Sequence, residues 1–259
     1  MDCELPQLFM LRVELDTSKV LRQTAPLRLP DRHEDIGYLL HCFLSDLFGT
    51  GAVRPFRALS DRGPSLSILG YTISNIDQLK NHASTFADPL THNACNWDTF
   101  ALKPIPNQWT SARRFGFELR ACPIVRLSSD TEFRARNGEL RRAQRGSEVD
   151  VWELLRRTSR DAENRVTREE AYTDWLRARM GNAAFVLHVE LIAFRRTTLV
   201  RRNHASPRKA TLLERPDVTF RGELEVGEPH DFRNLLANGV GRHRAFGYGM
   251  LLLRPPGSP

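Results

Sequence analysis

The chain has 259 residues, 41% of them hydrophobic and 27% charged, with a formal net charge of +7. That balance is ordinary for a globular protein, and the length allows one large domain or two small ones with a real core. No apolar run approaches the roughly 18 to 20 residues of a membrane span, and the start MDCELPQLFMLRVELD carries acids where a secretory leader carries a basic head, so a cytoplasmic protein is expected.

Of the 38 basic residues, 34 are arginine. The planar guanidinium fork suits phosphate better than an ammonium does, which points to a polyanionic partner. A codon bias toward arginine gives the same count, so position has to decide. The four cysteines (Cys3, Cys42, Cys95, Cys122) lie far apart, with neither zinc-site spacing nor a disulfide pattern. Cys42 and Cys122 read as small buried hydrophobes.

In chain order, LFMLRVELD (8–16) alternates as a strand, followed by a loop, TAPLRLPDRHE. DIGYLLHCFLSDLFG is the clearest helix: Ile36, Leu39, Leu40, Phe43, Leu44 and Leu47 fall in one apolar sector, with Asp35 placed to cap its start and Gly49 its end. VRPFRAL and SLSILGYTIS pair as strands around SDRGP, IDQLKNHASTFA is a second helix, and NWDTFALKPIP a further strand. The order is βαββαβ, the ferredoxin-like pattern, with a boundary at residue 107 near Pro104, Pro106 and Asn107.

A second run opens with the strand RRFGFELRACPIVRL. Residues 130–181 are highly charged and read as mostly helical, with Thr167 and Glu170 as a capping box, Gly181 as a stop, and Trp152, Leu155 and Trp175 as apolar anchors. AAFVLHVELIAFRR and DVTFRGELEV follow as strands, then DFRNLLANG as a helix capped by Asp231, then a glycine-rich loop and the strand GYGMLLLR. With the charged segment set aside, this half is again βαββαβ-like. The expectation is α+β: two tandem ferredoxin-like domains, 1–107 and 108–259, the second carrying an arginine-rich helical insertion at 130–181 and a C-terminal glycine-rich loop. The duplication rests on element order, since no internal sequence repeat supports it.

Two places could carry chemistry. On the helix at 35–48, Tyr38, His41 and Ser45 share the stripe opposite the apolar sector. A histidine beside a tyrosine there can act as a proton-transfer pair, imidazole titrating near neutral pH; a surface histidine next to a packed ring is the plainer reading of the spacing. The segment NGVGRHRAFGYGMLLL (238–253) places four glycines and three basic residues between a helix and a strand. That is the reverse order of a dinucleotide or Walker loop. Its glycines let backbone amides approach a phosphate, with Arg242, His243 and Arg244 supplying charge; a tight solvated connection is the plainer reading. Further basic clusters fall at Arg141, Arg142 and Arg145, and at Arg195, Arg196, Arg201, Arg202, Arg208 and Lys209 around an expected hairpin tip. No HExxH, carboxylate cluster or Ser-His-Asp series is present.

Taken together, four segments resemble the CRISPR repeat-processing endoribonucleases of the RAMP superfamily, type I-E above all. DIGYLLHCFLSDLF is similar to that family's first helix, in which an acid, a tyrosine and a histidine three later precede a Leu-x-x-Leu-Phe ending. FELRACPIV resembles the strand opening its second domain, MGNAAF the junction after its charged segment, and NGVGRHRAFGYGMLLL its last loop and strand. The resemblance implies cleavage of precursor CRISPR RNA within the repeat, without metal or other cofactor. The 2′-hydroxyl would attack in line and leave a 2′,3′-cyclic phosphate. It implies His41 as proton-transfer residue and Tyr38 as its neighbour; Arg242, basic and in the glycine-rich loop, is the expected charge stabiliser. Gly239, Gly241, His243, Arg244, Gly247 and the basic clusters would hold RNA. The implied partners are precursor and mature crRNA hairpins and other subunits of a CRISPR ribonucleoprotein, with no membrane. The long arginine-rich segment departs from type I-E and raises the type IV counterpart. The competing reading is a non-catalytic crRNA-binding subunit.

Overall fold

The computed structural model describes residues 6–25, 36–59, 63–134, 140–158, 166–202 and 210–257. The first unit runs β1 (Phe9–Asp16), α1 (Thr17–Thr24), α2 (Gly37–Phe48), β2 (Phe56–Ala58), β3 (Ser65–Thr72), α3 (Ile76–Phe86), α4 (Pro89–Ala94) and β4 (Ala101–Pro104). The sheet is antiparallel in the order β2-β3-β1-β4. Alternation in β1 buries Leu11, Val13 and Leu15 opposite Gly70, Ile68 and Leu66 of β3. Against this face α2 packs Leu40, Phe43, Leu44 and Leu47, all 3% exposed or less. Truncating one of them to alanine costs about 2–5 kcal/mol.

Helices α1 and α4 were not among the expected elements. They have eight and six residues, too few turns for an apolar period to show. Each depends on an aspartate cap: Asp16 accepts from the Lys19 amide at 3.1 Å and Asp88 from that of Leu90 at 2.8 Å. The expected capping role of Asp35 lies outside the described residues, and Ile36 stands at the N-cap of α2. Gly49 does close that helix, its amide donating to the Ser45 carbonyl.

The second unit runs β5 (Arg114–Ala121), β6 (Ile124–Arg126), β7 (Thr131–Arg134), β8 (Leu140–Ala143), β9 (Glu148–Asp150), α5 (Val151–Thr158), α6 (Arg168–Met180), β10 (Ala184–Arg202), β11 (Ala210–Val226), α7 (Pro229–Asn238) and β12 (Leu251–Arg254). Its main sheet, β10-β11-β5-β12, repeats the order of the first when only the four strands of each main sheet are counted. The fold is thus two tandem ferredoxin-like units.

The charged 130–181 segment differs from its helical expectation. Its described first part is strand, in the ladders β7–β8 and β6–β9. Helix α6 buries Tyr172, Trp175, Leu176 and Met180 in the main core and serves as the first helix of this βαββαβ unit. Short strands such as LRRA carry adjacent arginines in sequence, so composition masks a two-residue period. The capping box of Thr167 with Glu170 and the Gly181 stop are present. Helix α7 starts at Pro229 with Glu228 at its N-cap, and Asp231 sits in the first turn. It does not cap, because proline fills the first helical position two residues earlier.

The two units share a core. Leu8 and Tyr71 of the first lie in one apolar cluster with Phe117, Phe220 and Leu251 of the second. The Tyr71 hydroxyl donates to the Leu251 carbonyl at 2.8 Å. Arg57 reaches across to Glu118, which also takes Arg221 and Arg254. Burial works to raise the Glu118 pKa, but these guanidinium groups, Arg57 foremost, hold it below the usual carboxylate value.

Candidate active site

Helix α2 turns its apolar stripe into the first core and leaves Tyr38 and His41 half-buried on the opposite side. What faces them is the loop after α7. A short 3-10 turn (Arg244–Phe246) delivers Phe246 against both rings. Its centroid lies 6.1 Å from that of Tyr38 and 5.5 Å from that of His41, edge-on at 80° to the imidazole. Tyr38 and His41 are 6.5 Å apart. The expected proton-transfer pair and the expected glycine loop therefore meet, although about 200 residues of sequence separate them.

The loop is shaped by what lies beneath it. Gly241 adopts φ +78° directly over Trp175, where an added Cβ would come within 2.9 Å of the indole. Gly239, at φ +75°, passes 2.7 Å from the Gly249 carbonyl by the same measure, with the Pro55 ring on its other side. Only glycine fits both positions. His243 takes a left-handed conformation, φ 59°. At the far end Gly249 donates to the Arg120 carbonyl, and Arg120 lies 4.3 Å over the Tyr248 ring while holding Asp217.

Electrostatics divide the cations. Arg242 donates through Nε to Glu148 at 2.7 Å, and Arg215 reaches the same carboxylate at 3.1 Å. The His243 Nε2 lies 3.4 Å away, too far for a well-formed hydrogen bond. Together His243, Arg242 and Arg215 hold Glu148 far below the usual carboxylate range against the effect of burial. Arg244 donates to the Asn238 carbonyl at 2.6 Å. Burial lowers its pKa, and the charges of Arg54 and Arg242 lower it further.

Arg54, which the sequence reading missed, lines both a small hollow beside His41 and a larger one of about 350 Å³ under Arg242 and Arg244. Burial first, and then the Arg54 charge, hold the His41 imidazole below its ordinary value of 6.5. It is thereby kept neutral near pH 7, the form that accepts a proton.

The other expected RNA contacts sit elsewhere. Arg142 pairs with Asp130 at 2.6 Å on the β7–β8 ladder, and the Arg145 amide donates to the same aspartate. Arg195 holds Asp217 at 2.7 Å, while Arg196 is spread over Glu214, Glu153 and Asp150. Both lie well down the β10–β11 hairpin rather than at its tip. Arg201 and Arg202 end β10 and Arg141 lies in β8, with side chains outside the described set, as is Arg208 altogether. None of the described side chains in this group lines the hollows around His41. Gly247 closes the loop beside Phe56.

The whole architecture has counterparts. A CRISPR endoribonuclease Cse3 bound to 19 nt RNA is similar over 96% of this chain and 100% of its own, at 20% identity and a TM-score of 0.59. The CRISPR-associated protein Cas6e from Escherichia coli str. K-12 is similar over 95% and 99%, at 19% identity and a TM-score of 0.56. A chain of a CRISPR RNA-guided surveillance complex is similar over 95% and 99%, at 16% identity and a TM-score of 0.56. No curated protein matches in sequence. The sequence model of the family described as CRISPR associated protein matches residues 8–255, and this chain belongs to that family.

Proposed function

We propose that this protein cuts precursor CRISPR RNA within the repeat, without a metal ion, and keeps the product hairpin. One observation carries the reading: the half-buried Tyr38–His41 pair is closed over by the cationic glycine-rich loop through Phe246. A protein that only held RNA would need the loop's charge but not an imidazole kept neutral beside it. The Cse3 and Cas6e folds, the first seen with RNA, support the substrate class. The surveillance-complex chain supports retention in a ribonucleoprotein.

In the proposed reaction neutral His41 takes the proton of the 2′-hydroxyl. The 2′-oxygen forms a bond to phosphorus as the bond to the 5′-oxygen breaks. Tyr38 gives the departing oxygen its proton and is reprotonated through solvent from the imidazolium. The products are a 2′,3′-cyclic phosphate and a 5′-hydroxyl. Loop amides and guanidinium groups stabilise the charge that builds on the phosphoryl oxygens, Arg242 among them. Incubation of the protein with its own repeat hairpin in EDTA tests this. A single cut is expected, absent with a 2′-deoxy sugar at the cut site; binding with no cut would move the protein to the holding class.

A further inference from the structure

The cations around His41 are not equivalent. Arg242 has much of its charge taken up by Glu148, and Arg244 is turned toward the Asn238 carbonyl. Arg54 makes neither kind of contact: among the described residues its guanidinium has no carboxylate or carbonyl partner. Its backbone, by contrast, is fixed. The Arg54 amide donates to the Tyr71 carbonyl at 3.1 Å, and the Tyr71 amide donates to the Pro55 carbonyl at 2.9 Å. The flanking Val53, Pro55 and Phe56 are buried, and Pro55 abuts Gly239 of the opposing loop.

An exposed arginine on a clamped segment, next to two further guanidinium groups, costs repulsion energy unless an anion joins them. The hollow that Arg54 shares with Arg242 and Arg244 opens next to the one it shares with His41. We propose that Arg54 is the anion anchor of the site, its guanidinium holding the RNA phosphodiester that lies over His41, with Arg244 on the other side. This rests on the reading of the site as an RNA-cutting one. It assigns the phosphate contact to a residue of the first unit, so that the bound strand is gripped from both units at the linkage to be cut.

The test is a binding cycle that needs no turnover. A repeat hairpin with 2′-deoxy sugars is prepared with one neutral methylphosphonate, moved a linkage at a time along the strand. On the all-phosphate hairpin, Arg54→Gln is expected to weaken binding roughly ten- to a hundredfold, as for loss of one charge-assisted contact. Arg54→Lys should recover most of that, and thermal melting should show all variants folded. At one linkage the methylphosphonate should weaken the wild type by a similar factor yet leave Arg54→Gln unchanged. Additive losses at every linkage, or Arg54→Gln binding like wild type, would overturn the proposal. Cutting of the all-ribose hairpin by the wild type is scored separately. Non-additivity with no cutting leaves the anchor standing and removes the nuclease; cutting with full additivity does the reverse. A wild type that binds no hairpin overturns both.

Discussion

The imidazole of His41 meets the edge of Phe246 at a centroid distance of 5.5 Å, so a helix of the first unit and a loop of the second present their chemistry at one point. That contact orients the imidazole as well as shielding it. An edge-to-face aromatic pair contributes about 0.5–1.5 kcal/mol beyond burial. Phe246→Leu keeps the apolar bulk and loses the directional edge. Single-turnover cleavage should slow by about tenfold while hairpin affinity changes little. An unchanged cleavage rate would show that Phe246 is only filler.

The lowered pKa of His41 has a definite sign in a pH–rate profile. Arg54, from the segment before β2, is the charge that acts on His41; Tyr38 stands beside it on its own helix, while Arg242, Arg244, His243 and Glu148 line the neighbouring hollow. As general base it must be neutral, so the rate should hold as pH falls through 6.5 and decline only below that, at the depressed value. Removing the Arg54 charge favours protonation, and Arg54→Gln should move the acid limb to higher pH. A limb that stays in place would break the link between the two residues.

Glu148 ties the loop to β9 through Arg242 and also takes Arg215 of β11. Its pKa is depressed, so its stabilising contribution is fully present above its ordinary value of 4.5 and is lost as pH falls toward the lower folded-state value. Unfolding in urea at a series of acid pH values should show that loss in the wild type. Glu148→Gln should be less stable at pH 7, by about 1–3 kcal/mol, and flatter with pH. Parallel curves would place the loop's anchor elsewhere.

Gly241 sits over Trp175 with φ +78°. Gly241→Ala meets both backbone strain and the indole, and should cost roughly 1–3 kcal/mol in thermal or urea unfolding. The same change at Gly181, which has open space around it, carries the strain without the clash and should cost less.

Much of this was legible in sequence because it is local. The apolar stripe of Leu39, Leu40, Phe43, Leu44 and Leu47 defines α2 and, by exclusion, the face carrying Tyr38 and His41. Element order gives the first βαββαβ unit in full and the second except for its first helix, α6, which lies inside the charged segment read as an insertion. What was hidden depends on long-range packing. Arg54 precedes a strand of only three residues and becomes conspicuous once His41 and Arg244 stand beside it. Glu148 is one acid in a run of charges, and only folding shows it holding Arg242. Arg196 illustrates the reverse: a basic cluster in sequence, it is spent on Glu214, Glu153 and Asp150 in the fold.

The most direct measurement is cleavage of the protein's own repeat hairpin in EDTA, with His41→Ala and a 2′-deoxy substrate alongside. The prediction is one cut leaving a 2′,3′-cyclic phosphate, abolished by the deoxy sugar and slowed at least about a hundredfold in His41→Ala with binding retained. Tight binding without a cut, or cutting that survives loss of His41, would contradict the account.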